Sequence, residues 1–361
     1  MKKGKKVLKI VLISVAAIVV TLVAGVAGFI IYASATTLKV KDVETMRVDG
    51  AVTENVDKTQ DINLLSWNMG YGALDERADF YMDGGQMVVG ESKENTIHNV
   101  ETIANKIKEL DPDIFLIQEA DIHSKRSNFV DEVSMLKTTF TGEKYETSVA
   151  ENFKAGFIPV PLGNSLGKVE SGITTFAKYD ISDAERIQLP NPFAWPIKLL
   201  NLKRCLLVTR LPIKGSEKDL VIINLHLEAY DDGEGKAKQL KQLMDIMQEE
   251  LDKGNYVIAG GDFNQTFSTT NYQKYPKIND WVCPVIDASE YPSFQFVMDD
   301  KVPTCRSLYK PYVDSDKATH QYWMIDGYVV SNNVKINSLE TLDLGFKNTD
   351  HNPVSMNITL L

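Results

Sequence analysis

An uncharged run over residues 10–32 constrains this chain more than any other feature of its sequence. At about 1.5 Å per residue, a helix of this length reaches about 34 Å, enough to cross a hydrocarbon core of about 30 Å. Five lysines precede the run, and no acidic residue occurs before Asp42. The positive-inside rule therefore predicts a cytoplasmic basic tail over 1–9, a single transmembrane helix over 10–32, and export of everything that follows.

Two other interpretations of this run remain open. Ala33-Ser34-Ala35 has the small-x-small form that a signal peptidase accepts, so the segment is also compatible with a cleaved signal peptide. The apolar region of a signal peptide is about 7 to 15 residues long, which favours an uncleaved membrane anchor here. The third interpretation is a buried helix of a soluble protein, but such helices are seldom apolar on every side.

The charge balance of the exported part bears on its partners. The whole chain has 39 basic and 49 acidic residues, and removal of the five N-terminal lysines leaves a net charge of −15. An acidic surface repels long polyanions, and nucleic-acid-binding proteins usually have the opposite balance. Nucleic acid is therefore a disfavoured partner, and no feature of the sequence indicates an obligate protein partner.

The chain has three cysteines, too few for a disulfide scaffold. Export permits one disulfide, and Cys283 with Cys305 is the pair to test. Cys205 lies in an apolar run, where we expect a buried free thiol.

Beyond the apolar run, the sequence predicts a tether followed by one domain. Residues 33–60 are polar and rich in Thr and Val, without helical periodicity, and as a flexible extracytoplasmic coil they would span about 25 to 30 Å. From residue 61 to residue 361, short β-rich runs alternate with helical patterns, as in a layered α/β domain. The predicted strands are 62–67, 114–118, 172–177, 206–210, 220–227, 256–261, 325–330 and 354–358. Two predicted helices carry apolar stripes over 97–110 and 237–251.

Polar residues recur at the ends of the predicted strands. They are Asn68, Glu119, His226, Asp262, Asn264, Asp326, Asp350 and His351. Strand ends collect at one edge of a sheet, so these side chains are expected to converge there. Taken singly, each has a simpler explanation, because Asp and Asn are common turn residues and a lone His is more often a satisfied core residue. Their order along the chain gives the functional interpretation its weight.

The ordered motifs resemble those of the endonuclease/exonuclease/phosphatase family. The motifs are Trp67-Asn68, Gln118-Glu119, Asn224-x-His226-Leu227, Gly261-Asp262-Phe263-Asn264, Ile325-Asp326 and Thr349-Asp350-His351-Asn352-Pro353. The resemblance extends over 61–361. It implies a four-layer α/β/β/α sandwich, here preceded by one transmembrane helix, with the site at one edge of two packed sheets.

The resemblance also implies a divalent metal ion. By motif position, Asn68, Glu119 and Asp350 would hold it. Their oxygen atoms suit a hard cation, so Mg²⁺ is the expected ion, with Mn²⁺ and Ca²⁺ as alternatives. No cluster of Cys and His indicates zinc instead.

The remaining site residues receive roles by the same resemblance. Asp262 would orient or deprotonate the attacking water, and Asn264 would bind the phosphoryl oxygens. His351 would contact the scissile phosphate, with Asp326 fixing its tautomer, and His226 would be a second donor to the phosphate. Asn224, on the same strand face as His226, is placed with the substrate-binding residues as a support.

Arg126 is the second residue assigned to substrate binding. It lies in Ser124-Lys125-Arg126-Ser127, and a guanidinium there would bind a second phosphate bidentately. A solvated loop charge remains the alternative interpretation of Arg126.

These observations predict a metal-dependent phosphoesterase that cleaves a phosphodiester by in-line attack of water at the outer cell surface. The Pro-rich loop over 190–196 contains Phe193 and Trp195, and exposed aromatic residues suit a bilayer interface, although a loop folded over the core is slightly favoured. A phospholipid or small phosphodiester is therefore ranked above DNA. An extracellular nuclease is the alternative, and a non-catalytic binding protein is a second alternative, disfavoured because every motif residue is present.

Overall fold

The computed structural model describes residues 2–142, 144–231, 233–278 and 281–361. Within these residues the chain forms four α-helices, α1 (Lys2–Thr36), α2 (Lys93–Leu110), α3 (Glu132–Phe140) and α4 (Glu234–Asp252). The first nine strands are β1 (Val43–Thr45), β2 (Val48–Asp49), β3 (Ile62–Asn68), β4 (Ile114–Asp121), β5 (Glu146–Ile158), β6 (Gly167–Ala177), β7 (Asp183–Gln188), β8 (Cys205–Pro212) and β9 (Asp219–His226). The remaining strands are β10 (Tyr256–Asp262), β11 (Thr266–Phe267), β12 (Val285–Ile286), β13 (Phe294–Val297), β14 (Cys305–Arg306), β15 (Tyr322–Trp323), β16 (Asp326–Ser331), β17 (Val334–Thr341) and β18 (Val354–Leu360).

Most of these strands form two large sheets. Sheet I has the order β1-β7-β8-β9-β10-β16-β13, and sheet II has the order β17-β18-β3-β4-β6-β5-β2. Two further pairs, β11 with β12 and β14 with β15, lie outside them. Each of the eight strands predicted from the sequence is present, with ends that differ by a few residues.

Alternation along the strands explains why the sheets pack in layers. In β3, Ile62 and Leu64 belong to the core between the sheets, whereas Leu65 and Trp67 belong to the core beneath α2 and α3. In sheet I, Ile222 faces sheet II, whereas Val221 and Ile223 face the cluster that contains the apolar stripe of α4. The predicted four-layer α/β/β/α sandwich is therefore confirmed.

The ends of α2 follow from local chemistry. The Ser92 side chain accepts a hydrogen bond from the Asn95 N–H at 3.1 Å and so caps the start of the helix. At the other end, Asp111 adopts a left-handed φ of 47°. Pro112 follows and has no N–H with which to continue the helix.

Helix α1 contains a segment, Gly4–Thr36, that is long and apolar enough to cross a membrane. Residues 4–28 are exposed along their whole length, and the helix becomes partly buried only in its last turns. Its end packs against β5, so the helix leads directly into the domain.

The segment over 33–60 differs from the flexible tether expected from its composition. Strand β1 pairs with β7 at the edge of sheet I, and β2 pairs with β5 at the edge of sheet II. Val52 and Val56 beyond them are buried. Strands of three and two residues are too short to show an alternating pattern, and their stability comes from the edge strands with which they pair.

The three cysteines are unpaired. Cys205 is a buried free thiol, as expected, whereas the Cys283–Cys305 disulfide considered from the sequence is not formed. Cys305 is instead buried beside His351, with which it forms an isolated β-bridge.

Candidate active site

Four predicted site residues share one end of the space between the two sheets. They are Asn68, His226, Asp262 and Asp326, each at an inward-facing position at the end of its strand. Asp262 is paired in sheet I with His226 on one side and with Asp326 on the other. The Asn68 Nδ2 of sheet II donates to Asp262 Oδ2 at 3.1 Å. Strand alternation and sheet packing therefore bring together residues from four separate motifs.

The glycine pair before Asp262 allows β10 to pass closely between its neighbours. A Cβ on Gly260 would lie 2.6 Å from the Tyr328 ring. Gly261 has a φ of 144°, and a Cβ there would lie 2.0 Å from the Leu225 carbonyl oxygen. No other residue fits at Gly261, because both its backbone conformation and the close approach of Leu225 exclude a side chain.

Asn264 completes the turn after Asp262. Its N–H donates to Asp262 Oδ1 at 2.8 Å, and its Nδ2 donates to the Leu227 carbonyl at 3.0 Å. The residue has a left-handed φ of 49°, a conformation that Asn tolerates better than most residues. Asn264 therefore fixes the Asp262 carboxylate while its own side chain borders the cavity described below.

His351 and Asp326 form a buried pair. His351 Nδ1 lies 2.8 Å from Asp326 Oδ2, while Nε2 lies 3.9 Å from both Asp262 Oδ2 and Asp350 Oδ2. Burial opposes a charge on the His351 ring, but the attraction of Asp326 and further acidic neighbours outweighs it, so the pKa of His351 is well above its usual value. The protonated ring presents its Nε2–H to Asp262 and Asp350.

Glu119 is aimed into the site by a bulge. The register between β4 and β6 shifts between Ile117 and Ala120, and Glu119 has a left-handed φ of 56°. Burial, and then the nearby Asp350, raises the pKa of Glu119 to about 8. Its Oε1 lies 3.8 Å from His226 Nδ1, and the residues that the structure describes donate no hydrogen bond to this carboxylate.

The acidic cluster has the composition of a cation site. Burial, and then the charge of Asp326, raises the pKa of Asp262 to about 7, and burial also raises the pKa of Asp350. Glu119 has no hydrogen-bond donor among the described residues, and such a carboxylate is costly to bury unless a cation neutralises it. Carboxylate oxygens of Asp262 and Asp326 lie within 4.8 Å of each other. The donor set is rich in oxygen and therefore fits a hard divalent ion.

The three predicted metal residues occupy different positions around this cluster. Glu119 and Asp350 border the cavity, whereas Asn68 is 1% exposed and lies behind Asp262. Asn68 Oδ1 already accepts a hydrogen bond from the Gly70 N–H at 3.0 Å. A carbonyl oxygen has a second lone pair, so this contact leaves Asn68 able to bind a cation.

His226 lies between Glu119 and Asp262. Its Nε2 is 3.5 Å from Asp262 Oδ2. Burial, followed by the positive charge of Arg204, lowers the pKa of His226 well below its usual value. The site therefore combines a neutral imidazole at His226 with a protonated one at His351.

A cavity of about 720 Å³ opens from these residues. One end is lined by the polar site residues Glu119, His226, Asp262, Asn264, Asp350 and His351. The other end is lined by apolar residues, among them Phe153, Ile158, Val160, Leu166, Ile197 and Leu200. The loop that follows Asn68 contributes Tyr71 and Tyr81 to the wall of the cavity.

The structure corrects the solvated-loop interpretation of Arg126. Its guanidinium is buried, forms a bidentate ion pair with Asp121 at 3.1 and 2.9 Å, and contacts Ser171 Oγ at 3.2 Å. The guanidinium carbon also lies 3.2 Å from the centre of the Tyr71 ring. Arg126 lines the cavity, but Asp121 already uses its bidentate face.

Asn224 does not reach the cavity, in contrast to its placement with the substrate-binding residues. The Asn224 side chain is fully buried between the sheets. Its Oδ1 accepts from Gln118 Nε2 at 2.8 Å, and its Nδ2 donates to the Thr174 carbonyl at 2.9 Å. Asn224 holds the two sheets together beneath the site and does not line the cavity.

Arg204 is a cavity residue that the sequence did not single out. Its side chain is 3% exposed and lines the cavity, and among the described residues its Nε and Nη1 have no hydrogen-bond partner. A buried guanidinium without partners is costly, unless an anion binds it. It lies just before β8, outside every motif, so only its place in the fold reveals it.

Comparison with known proteins agrees with this geometry. Residues 65–344 match the profile of the Endonuclease/Exonuclease/phosphatase family. An endonuclease/exonuclease/phosphatase from Beutenbergia cavernae is similar with a TM-score of 0.55 and 15% identity, over 83% of this chain and 72% of that chain. The human Nocturnin catalytic domain with bound sulfate is similar with a TM-score of 0.51 and 15% identity, over 88% and 98% of the two chains.

A further solved structure, an endonuclease/exonuclease/phosphatase from Bacteroides vulgatus, has a TM-score of 0.50 and 16% identity, over 84% of this chain and all of that chain. Comparison with curated protein sequences gives no significant match. The similar structures share the fold, and the profile match covers most of the chain. The protein therefore belongs to the endonuclease/exonuclease/phosphatase family of phosphoester hydrolases.

Proposed function

We propose that the protein is a divalent-metal-dependent phosphodiesterase that acts at the outer face of the cell membrane. The observation that carries this proposal is the convergence of Glu119, Asp262, Asp350 and the His351–Asp326 pair at one end of a single cavity. Four motifs that are far apart in the sequence supply these groups. Together they provide acceptors for a cation and for water and a donor for a phosphoryl oxygen.

Glu119 and Asp350 would hold the metal ion, with Asn68 completing the protein's share of the ligands. Mg²⁺ is the favoured ion because the ligands are oxygen atoms, and Mn²⁺ or Ca²⁺ would also suit them. When bound, the ion stabilises negative charge that develops on the phosphoryl oxygens.

The chain's own residues supply the other parts of an in-line displacement by water. Asp262, fixed by Asn68 and by the Asn264 N–H, is placed to accept the proton of the attacking water. The Nε2–H of His351 faces the same space and donates to a phosphoryl oxygen. Neutral His226, beside Asp262, is placed as a second donor to the phosphate.

Asp326 has a positioning role in this mechanism. It accepts a hydrogen bond from His351 Nδ1–H and so orients the ring with Nε2 toward the cavity. Its own backbone N–H donates a hydrogen bond to Thr304 Oγ1 at 3.1 Å. The pair is therefore held in one geometry before a substrate arrives.

The cavity favours a phospholipid or a small phosphodiester as substrate. Arg204 places an unpaired guanidinium near the catalytic end, where it would bind an anionic oxygen of the phosphoester. The far end is apolar, as expected for the hydrophobic part of an amphiphilic substrate. With α1 as a single-pass anchor and the N-terminal lysines in the cytoplasm, the domain lies outside the cell.

A panel of phosphoesters tests the proposal. Purified full-length protein is incubated with phospholipid vesicles, nucleotides, plasmid DNA and an aryl phosphodiester, each with Mg²⁺ and with excess chelator. We expect hydrolysis of at least one diester that chelator abolishes and added Mg²⁺ restores. Asp262→Asn should be inactive. Asp113→Asn makes the same change just before β4, at the end of sheet II opposite the site, and should retain activity.

The panel also separates the alternatives. Degradation of plasmid DNA in preference to lipid would favour an extracellular nuclease. No turnover of any phosphoester by folded protein would favour a non-catalytic binding protein and contradict the proposal.

A further inference from the structure

The end of α1 packs against the edge of the catalytic domain. The Gly156 N–H donates to Thr36 Oγ1 at 3.2 Å, and the Leu38 N–H donates to the Lys154 carbonyl at 3.0 Å. A Cβ on Gly156 would lie 2.6 Å from the Tyr32 hydroxyl, so glycine is required for this close approach. The position at which α1 leaves the domain is therefore fixed by contacts at the end of β5.

The membrane boundary lies at the level of this contact. The uncharged and exposed part of α1, residues 10–28, spans about 28 Å at about 1.5 Å per residue, which is close to a hydrocarbon core of about 30 Å. The first partly buried residues of the helix follow directly, at 29 and 30. A bilayer crossed by α1 thus ends close to Gly156.

Two apolar segments lie beside the same contact, and we call them the apolar rim: residues 157–162, which comprise the end of β5 and the loop that follows, and residues 193–200 after β7. The exposed fractions of their large side chains are Phe157 41%, Val160 47%, Leu162 89%, Trp195 61% and Ile197 60%. Lys198 is the one charged residue in the two loops. A cluster of exposed apolar residues of this kind marks an interaction surface, and aromatic residues suit the interface of a bilayer.

The apolar rim also forms part of the wall of the cavity. Ile158, Pro159 and Val160 from the first loop, and Ile197 and Leu200 from the second, line the cavity. Helix α1 contacts the short 3-10 helix Ile197–Leu200 as well as β5. The two elements that contact the end of α1 therefore also contribute to the wall of the cavity.

We infer that the apolar rim inserts into the outer leaflet beside α1, and that the cavity takes its substrate, a membrane lipid phosphodiester, directly from that leaflet. The apolar part of the lipid lies along the wall formed by Phe153, Leu166 and the rim, while its phosphate reaches Arg204 and the catalytic end. This inference rests on the proposed phosphodiesterase function, and it adds the class of substrate and its route of entry.

Leu162 and Trp195 allow a test because neither of them lines the cavity. The double variant Leu162→Asp/Trp195→Asp is compared with the control variant Leu361→Asp. Leu361 is a similarly exposed apolar residue that follows β18, at the end of that strand which lies away from the site. Full-length proteins are reconstituted in phosphatidylcholine–phosphatidylglycerol vesicles. Hydrolysis of vesicle lipid is measured by mass spectrometry, and hydrolysis of soluble bis(p-nitrophenyl) phosphate is measured in parallel.

We expect the rim variant to lose about tenfold or more of its activity on vesicle lipid, because charged side chains at these two positions oppose insertion of the rim into the leaflet. Its activity on the soluble diester should stay within about twofold of wild type, which also shows that it folds. Leu361→Asp should match wild type on both substrates. Brominated lipids should quench wild-type tryptophan fluorescence, and Trp195→Phe should lose most of that quenching.

Equal lipid hydrolysis by the rim and control variants, or quenching that persists without Trp195, would overturn the inference. So would a wild-type protein that cleaves the soluble diester but no vesicle lipid. Those outcomes leave the proposed function intact, because the soluble diester is still hydrolysed. Failure of the wild type on both substrates would instead contradict the proposed function itself.

Discussion

The pairing of His351 with Asp326 leads to a quantitative prediction. The two side chains are 6% and 2% exposed and lie 2.8 Å apart, so their hydrogen bond is buried and involves charged groups. Such a bond contributes about 1.5 to 3 kcal/mol, and about 1.4 kcal/mol corresponds to a tenfold change in rate. Asp326→Asn should therefore reduce kcat/KM by about 10- to 150-fold. His351→Ala should reduce kcat/KM by about 10²- to 10⁴-fold, which is the usual contribution of a general acid or base.

The double variant tests whether the two residues act as one unit. Because Asp326 works through the His351 ring, Asp326→Asn/His351→Ala should be no more than about threefold slower than His351→Ala. The assay is steady-state hydrolysis of an aryl phosphodiester by full-length proteins, with thermal unfolding measured for each. Asp113→Asn controls for the substitution of a carboxylate by an amide. Losses that multiply in the double variant would refute the positioning role of Asp326.

Four further predictions concern the metal, the anion-binding arginine, stability and topology. Glu119→Gln should abolish turnover, and it should also abolish the rise in melting temperature that Mg²⁺ causes in the wild type. An ion at about 100 times its Kd stabilises the native state by about 2.7 kcal/mol, so an unchanged rise in differential scanning calorimetry would exclude Glu119 as a ligand. Arg204→Ala should reduce kcat/KM by about 10- to 100-fold, whereas Arg47→Ala, whose side chain is 86% exposed, should have no effect. Burial opposes the charge of Glu250, but hydrogen bonds from Arg210, Lys253 and Asn255 outweigh it and lower the pKa of Glu250 to about 2. The resulting stabilisation is present above about pH 4.5 and is lost as the pH falls toward 2, so Glu250→Gln should destabilise the protein at pH 7 but much less at pH 2 in urea titrations. Protease added to intact cells should remove the domain and leave a membrane-bound N-terminal fragment, whereas free protein that begins at Thr36 would show cleavage of the apolar segment.

The central strands of the two large sheets were predictable from the sequence because buried strands consist mainly of apolar residues. Strand β10, for example, is a short apolar run that ends in Gly-Gly-Asp. The inward alternation that places Asp262 opposite Asn68 then follows from the period of a strand. The contacts between these residues did not follow, because they depend on how the two sheets pack against each other.

The elements that the sequence did not reveal are polar or very short. Strand β5 alternates charged and apolar residues irregularly and contains two register shifts, and β17 is largely exposed at the edge of sheet II. Helix α3 has only nine residues. Their stability comes from pairing and packing with neighbours, which a single sequence does not display.

Two charged residues at the site also had environments that the sequence did not predict. Arg126 lies in a polar loop, yet the fold buries it between Asp121 and Tyr71. Arg204 has no motif around it, and its importance comes from the absence of a hydrogen-bond partner for its Nε and Nη1 among the described residues. Burial and pairing of a charge are properties of tertiary structure, so composition and spacing do not predict them.

The stereochemistry of the reaction at phosphorus tests the central claim most directly. The account requires a single in-line displacement by water beside Asp262, without a covalent intermediate on the chain. The substrate is a phosphorothioate diester of one configuration at phosphorus. The full-length protein hydrolyses it in ¹⁸O-labelled water, and the configuration of the product is determined. The account predicts hydrolysis with inversion of configuration; retention, which requires two successive displacements, would contradict it.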